Sequence, residues 1–385
     1  MIIAVNTRLL LSGRLEGIGM VTNEILKRIT RNHPEHQFIF LFDRPYSKEF
    51  IYSDNITPVV VYPPARAPIL WYLFFEWGIY FALKKYKADV FISTDGWVSL
   101  RSKVPTLNVV HDLNYVHFPQ FFEKNMSLDY YEKYMPKYVN KSDRIIAVSE
   151  YTKQDIVTTF GKAEDKIDVV YNAASSNHFP LSEEEQNAVR SELTQGEKYF
   201  LYVGTLYKRK NVANLLRAFD KYKSRAENNF KLVIVGNRKT SNAEVEDVYN
   251  SMTYKDSVIF TGFLPQEKLN GVLASSIAQV YVSIFEGFGI PIVEAFNAET
   301  AVITSNTTSM PEVAGDAALI VDPHNVDEIA DALFKISTEE DFRQTLIEKA
   351  RSRRQLFNWD VSAEKFWKSL EKLMIDERQK TFVNP

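Results

Sequence analysis

The segment "FEGFGIPIVEAF", Phe285 to Phe296, places two glutamates eight positions apart around a Gly-Phe-Gly turn. Glu286 ends an apolar run, Gly287 and Gly289 allow a sharp turn about Phe288, and Pro291 suits the first turn of a helix carrying Glu294. Carboxylates accept paired hydrogen bonds from vicinal hydroxyls. Two at this distance suit a ligand with two sets of hydroxyls, such as a sugar and a ribose flanking a pyrophosphate. Taken alone, the pair reads more readily as a glutamate on a helix dipole plus an incidental second one.

Other segments offer anion chemistry. After "YFLYVG", which ends at Gly204, comes "TLYKRKNVANLLRAF", where Lys208, Arg209 and Lys210 precede a helix with apolar residues Val212, Leu215, Leu216 and Phe219 at helical spacing. Cations beside helix N–H groups make either a phosphate site or a solvated turn. In "LEGIGMVTNEIL", Gly17 and Gly19 let backbone amides approach an anion, but Thr22 stands where a dinucleotide fingerprint needs its third glycine. His111-Asp112 closes the run "TLNVV" and delivers an imidazole to a strand end, for chemistry or for capping. With six histidines, no His-x-x-x-His and no Asp-x-Asp, no metal cage and no bound cofactor are expected.

These residues need a frame that gathers strand ends. Apolar runs alternate with helical-period segments throughout: "MIIAVN", "QFIFLF", "TPVVVY", "DVFIST", "TLNVVH", "RIIAVS" and "IDVVYN", then "YFLYVG", "FKLVIVG", "SVIFTG", "AQVYVS" and "TAVITS". Strands this apolar, each followed by a turn and a helix, predict parallel sheets covered on both faces. The 385 residues suit two α/β domains, with the boundary in the acidic segment Phe179 to Phe200. The expected organisation is two Rossmann-like domains, 1–180 and 190–360, with a ligand cleft between them, and a C-terminal helix 361–385 that returns to the first domain.

Composition is average for a globular protein, at 45% apolar and 25% charged residues. A net charge of -3 provides no general field for nucleic acid, and no nucleic-acid partner is expected. The absence of cysteine excludes thiolate chemistry and disulfides. "MIIAVNTRLLLSGRL" lacks a basic n-region and reads as a first strand, so a cytoplasmic location is expected. "PILWYLFFEWGIYFAL", Pro68 to Leu83, contains Glu76 and is too short to span a bilayer. Buried core is the favoured reading, while Lys84, Lys85 and Lys87 keep open contact with the inner face of a membrane.

Together these motifs resemble the retaining nucleotide-sugar glycosyltransferases of family 4, which have the GT-B fold. The likeness rests on "FEGFGIPIVEAF" followed by "AVITSNTTSMPEVAGDAALIVDP", and on "GIGMVTNEIL", "VVHDL", "IIAVSEYTKQDI", "VVYNAAS", "VGTLYKRKNV", "LVIVG", "VIFTGFLP" and "FNWDVSAEKF", in the family's order over nearly the whole chain. The resemblance implies that Glu294 holds the nucleotide ribose and that Glu286 lies near the donor sugar. Arg209 and Lys210 would grip the pyrophosphate, with backbone amides around Gly17 to Gly19 and Phe288 to Gly289 assisting, and His111 would lie beside the transferred sugar. The implied reaction moves a hexose from a GDP-mannose or UDP-glucose type donor to a glycan or lipid-linked acceptor hydroxyl, with retention and without metal, in surface polysaccharide synthesis. Two departures stand out. Gly204-Thr205 replaces a common Gly-Arg, and Ala298-Glu299-Thr300-Ala301 replaces Cys-Gly-Thr-Pro.

Competing classes are a sugar-nucleotide epimerase of the same fold, a nicotinamide dehydrogenase and a silent nucleotide-sugar-binding protein. The third glycine absent at Thr22 argues against the dehydrogenase, and retention of His111 favours an enzyme over the silent binder.

Overall fold

The computed structural model describes residues 1–13, 15, 17–121, 126–238 and 243–383. The chain divides into two units: Met1–Asn172 together with Trp359–Pro385, and Ala173–Asn358.

In the first unit the described strands are β1 (Ile2–Asn6), β2 (Gln37–Phe42), β3 (Ile56–Val60), β4 (Val90–Ser93), β5 (Thr106–Val110), β6 (Arg144–Ala147) and β7 (Ile167–Val169). They form one sheet in the order β3-β2-β1-β4-β5-β6-β7, with every pairing parallel. β4, β5 and β6 are buried at every position, as strands covered on both faces must be. The order reverses between β1 and β4, and loops leaving the carboxyl ends of those two strands flank the crevice where such sheets bind ligands.

The second unit repeats the design with β8 (Tyr199–Val203), β9 (Lys231–Val235), β10 (Val258–Gly262), β11 (Ala278–Tyr281), β12 (Ala301–Ser305) and β13 (Leu319–Val321). Its parallel order is β10-β9-β8-β11-β12-β13, so the reversal lies between β8 and β11.

The acidic segment expected to separate the domains forms a helix of the second unit. Ser182 and Glu185 make a capping box at the head of Glu183–Thr194, whose three leading glutamates complement the helix dipole. Arg190 Nε donates to the Ser275 carbonyl at 2.9 Å, fastening this helix within its unit. The first unit therefore ends at Asn172, ahead of that segment.

The terminal helix Trp359–Val383 belongs to the first unit. Trp367 stacks on His33 with ring centroids 3.5 Å apart, Arg28 Nε donates to Asp360 at 2.6 Å, and Ser362 donates to the Tyr171 carbonyl at 2.6 Å.

The aromatic segment runs Pro68–Leu73 as α-helix, Phe74–Ile79 as π-helix and Tyr80–Tyr86 as α-helix. It is not wholly buried. Phe74, Phe75, Ile79, Ala82 and Leu83 enter the core while Ile69, Trp77 and Phe81 face solvent, because the helix covers the sheet with one side only. Among the described residues, no helix is long and apolar enough to cross a membrane.

Candidate active site

In the second unit, β8 and β11 stand side by side and their following loops meet. The chain leaves β8 through Gly204 and makes a 3-10 turn, Lys208–Lys210. It then enters helix Val212–Arg225 through Asn211, whose side-chain amide donates to the carbonyls of Val282 at 3.0 Å and Pro323 at 2.7 Å. The Ile284 amide donates to the Arg209 carbonyl at 2.8 Å. These bonds lock the basic turn against the Glu286 loop.

Glu286 then receives both cations. Arg209 Nη1 donates to Oε2 at 2.9 Å and Lys210 Nζ to Oε1 at 2.6 Å, while Lys210 also donates to the Tyr281 hydroxyl at 2.9 Å. Burial opposes ionisation of this carboxyl, and Lys210 and Arg209 outweigh it, holding the group at about 2. The cations keep 23% and 12% of their side-chain surface, enough for an anion to reach them. Ser309 Oγ supports the turn from below, donating to the carbonyls of Glu286 and Phe288, each at 2.9 Å.

Gly289 caps helix Ile290–Asn297 at φ 103°, a conformation that β-carbon crowding denies most residues. Glu294 sits in that helix and differs from Glu286: no ion pair reaches it among the described residues. Burial pushes its carboxyl pKa up, with His178 opposing. A carboxylate held in a poorly solvated place without a partner is poised to accept from ligand hydroxyls.

In the first unit, Gly17 caps helix Ile18–Asn32. A β-carbon on Gly19 would lie 2.6 Å from the Leu9 carbonyl oxygen, so only glycine lets the helix start this close to the loop after β1. Val21, Thr22 and Ile25 of that helix share a small pocket with Thr94 and His111. His111 Nε2 lies 2.8 Å from the Thr94 carbonyl, which can only accept, so Nε2 carries hydrogen. Burial lowers the imidazole pKa, against the Thr94 bond and the charges of Asp112 and Asp95. The neutral ring thus keeps Nδ1 as an acceptor.

A second cluster at the β1/β4 reversal was not anticipated. Asp95 accepts from Asn6 Nδ2 at 2.9 Å and from Arg8 Nε at 2.5 Å, and the Arg8 guanidinium lies 4.6 Å from the Trp97 ring centre. Its signal was positional, since Asn6 ends β1 and Asp95 follows β4. The structure thus joins Gly204, Arg209, Lys210, Glu286, Phe288, Gly289 and Glu294 at one sheet edge, and Gly17, Gly19 and His111 at the corresponding edge of the other unit. Among the described residues, no three His, Asp or Glu side chains form a metal-ligand set.

Residues 15–177 match the family model described as Glycosyltransferase Family 4, and residues 183–353 the model described as Glycosyl transferases group 1. The chain is 28% identical over 280 residues to the O-antigen chain mannosyltransferase B of Escherichia coli, covering 72% of this chain and 73% of that one. It is 26% identical over 280 residues to the O-antigen chain mannosyltransferase RfbU of Salmonella typhimurium, covering 70% and 74%. Among solved structures, sucrose-phosphate synthase from Thermosynechococcus elongatus aligns with a TM-score of 0.79 at 17% identity, over 97% of this chain and 99% of that one, a likeness of fold. With two Rossmann-like parallel-sheet domains of GT-B type and both family matches in order, the chain belongs to the group 1, family 4 glycosyltransferases.

Proposed function

We propose that this glycosyltransferase moves a mannosyl residue from a nucleoside-diphosphate mannose to a hydroxyl of a glycan or lipid-linked acceptor, with retention and without metal, in the assembly of a surface polysaccharide. The observation that carries the reading is the contrast at the second unit's sheet edge, where Arg209 and Lys210 stand over Glu286 while, among the described residues, no ion pair reaches Glu294. Mannose as the transferred sugar is supported by the names of the two curated relatives.

In this scheme Arg209 and Lys210 stabilise the charge that develops on the departing diphosphate, the work a divalent ion does elsewhere. Glu294 accepts from the ribose hydroxyls. Glu286 keeps the two cations in place and turns its remaining acceptor capacity towards the donor sugar. Its carboxylate is already engaged by both cations, which suits it poorly to covalent attack on the anomeric carbon. Retention therefore runs through front-face attack, with the leaving phosphate taking the acceptor's proton. The family resemblance assigns His111 to the transferred sugar, where a neutral ring with a free Nδ1 acts as an acceptor and adds no charge.

The test is a thermal-shift panel of GDP, UDP, GDP-mannose and UDP-glucose, followed by product analysis by NMR with the preferred donor. Stabilisation by GDP-mannose, an α-linked product from the α-linked donor and unchanged rates in EDTA are expected. A β-linked product or a strict metal requirement would overturn the mechanism, and preference for UDP-glucose would overturn the choice of sugar.

A further inference from the structure

The first unit exposes an apolar strip that its fold does not use. Its members are Tyr62, 71% exposed, Ile69, 62%, Trp77, 38%, and Phe81, 57%. The π-helical turn Phe74–Ile79 slows the rotation per residue and keeps Ile69, Trp77 and Phe81 along one side, while Phe74, Phe75 and Ile79 go to the core. Trp77 and Phe81 stack with ring centres 5.9 Å apart, and Tyr80 adds an edge 5.4 Å from Phe81. Tyr62 is brought to the strip by Gly78, where a β-carbon would come within 2.8 Å of the Tyr62 carbonyl oxygen.

Cations rim this strip. The Arg101 guanidinium lies 3.8 Å from the Trp77 ring centre, and the Lys84 ammonium 4.9 Å from that of Tyr80. Between Tyr62 and Lys103 the exposed charges are Arg66, Lys84, Lys85, Lys87, Arg101 and Lys103 against Asp89 alone, in a chain of net charge -3. The other two acids of the stretch, Glu76 and Asp95, are buried. Glu76 accepts from the Leu100 amide at 2.9 Å.

Aromatic rings with a polar end, an aliphatic side chain and a one-sign rim match the headgroup boundary of an anionic bilayer, where rings sit at headgroup depth and lysines meet phosphates. We propose that the strip Tyr62, Ile69, Trp77 and Phe81, with its rim of Lys84, Lys85, Lys87 and Arg101, docks the first unit on an anionic lipid surface, the helix Pro68–Tyr86 lying in the plane of the interface. The inference stands apart from the choice of donor, because adsorption needs no sugar nucleotide.

Vesicle co-sedimentation tests it, with phosphatidylglycerol mixed into phosphatidylcholine against phosphatidylcholine alone. The intact chain should bind the mixed vesicles, weakly or not at all the neutral ones, and less as salt rises. Trp77→Ser with Phe81→Ser should cut partitioning about tenfold or more. Lys84→Glu with Lys85→Glu should cut it roughly fivefold for each charge removed and flatten the salt dependence. Thermal shift with nucleoside diphosphate, unchanged in both variants, shows that they fold. Failure of the parent chain to bind, or equal binding by parent and both variants, overturns the proposal. So does a concentration-dependent dimer that the aromatic variant dissolves, since a second copy would then cover the strip.

Discussion

Two carboxylates in this molecule are held by near-identical electrostatics at opposite sheet edges. Glu286 follows β11 at the carboxyl edge of the second unit's sheet and takes bonds from Arg209 and Lys210. Asp168 lies in β7 of the first unit and accepts from Arg144 Nε at 2.6 Å, Lys372 Nζ at 2.6 Å and Ser369 Oγ at 2.7 Å. Burial opposes ionisation of both, and in each case the partners win and hold the carboxyl at about 2. Yet Arg144 opens β6, at the sheet's amino edge, and Lys372 and Ser369 come from the terminal helix. A depressed carboxylate therefore does not mark a site by itself. What separates the two is the sheet edge, because open α/β sheets present ligands to the carboxyl ends of their strands.

Substitutions can break this contrast. The largest effect should come from Arg209→Ala, which in the proposed scheme removes a charge that stabilises the leaving diphosphate. Turnover should fall about 10²- to 10³-fold with little change in melting temperature, and steady-state rates beside a thermal melt check both. A melt that collapses along with activity would place Glu286 and Asp168 in one structural class.

Glu294→Ala should come next, weakening nucleoside diphosphate by about 1.5–3 kcal/mol in calorimetry. Its raised pKa means that the folded chain holds the proton more readily than the unfolded one, so the ionised carboxylate is a burden at neutral pH. The variant should melt no lower than the parent.

Asp168→Asn should do the reverse. Stability should drop by about 1–2 kcal/mol in denaturant melts, since Arg144 is left buried with a weaker set of partners, while nucleotide affinity stays unchanged.

The smallest effect concerns acid. The folded pKa of Asp168 lies below the unfolded value near 4, so its contribution is complete above about pH 4 and disappears as pH falls through about 2. The parent should lose stability across that window, and Asp168→Asn should lose measurably less. Identical acid slopes would show that the network adds nothing.

Much of the frame was legible because strands covered on both faces leave uninterrupted apolar runs. β13, Leu319–Val321, was not among the runs read as strands. Glu286, Arg209 and Lys210 were each legible by position after a strand. Their ion pairing was not, because it joins residues 76 and 77 positions apart through adjacent strands whose order no local pattern encodes. Arg8 and Asp95, 87 positions apart, were hidden for the same reason. The helix Pro68–Tyr86 misled differently. Its composition is apolar all round, and only the π turn and the sheet beneath decide which side is covered.

The return of Trp359–Val383 to the first unit also orders events during synthesis. A ribosome synthesises the whole second unit, Ala173 to Asn358, before the helix that bears on Asp168 and His33 exists. The first unit is thus begun first and completed last, and until the final turns emerge, Arg144 and Asp168 on the nascent chain lack the partners that the helix brings.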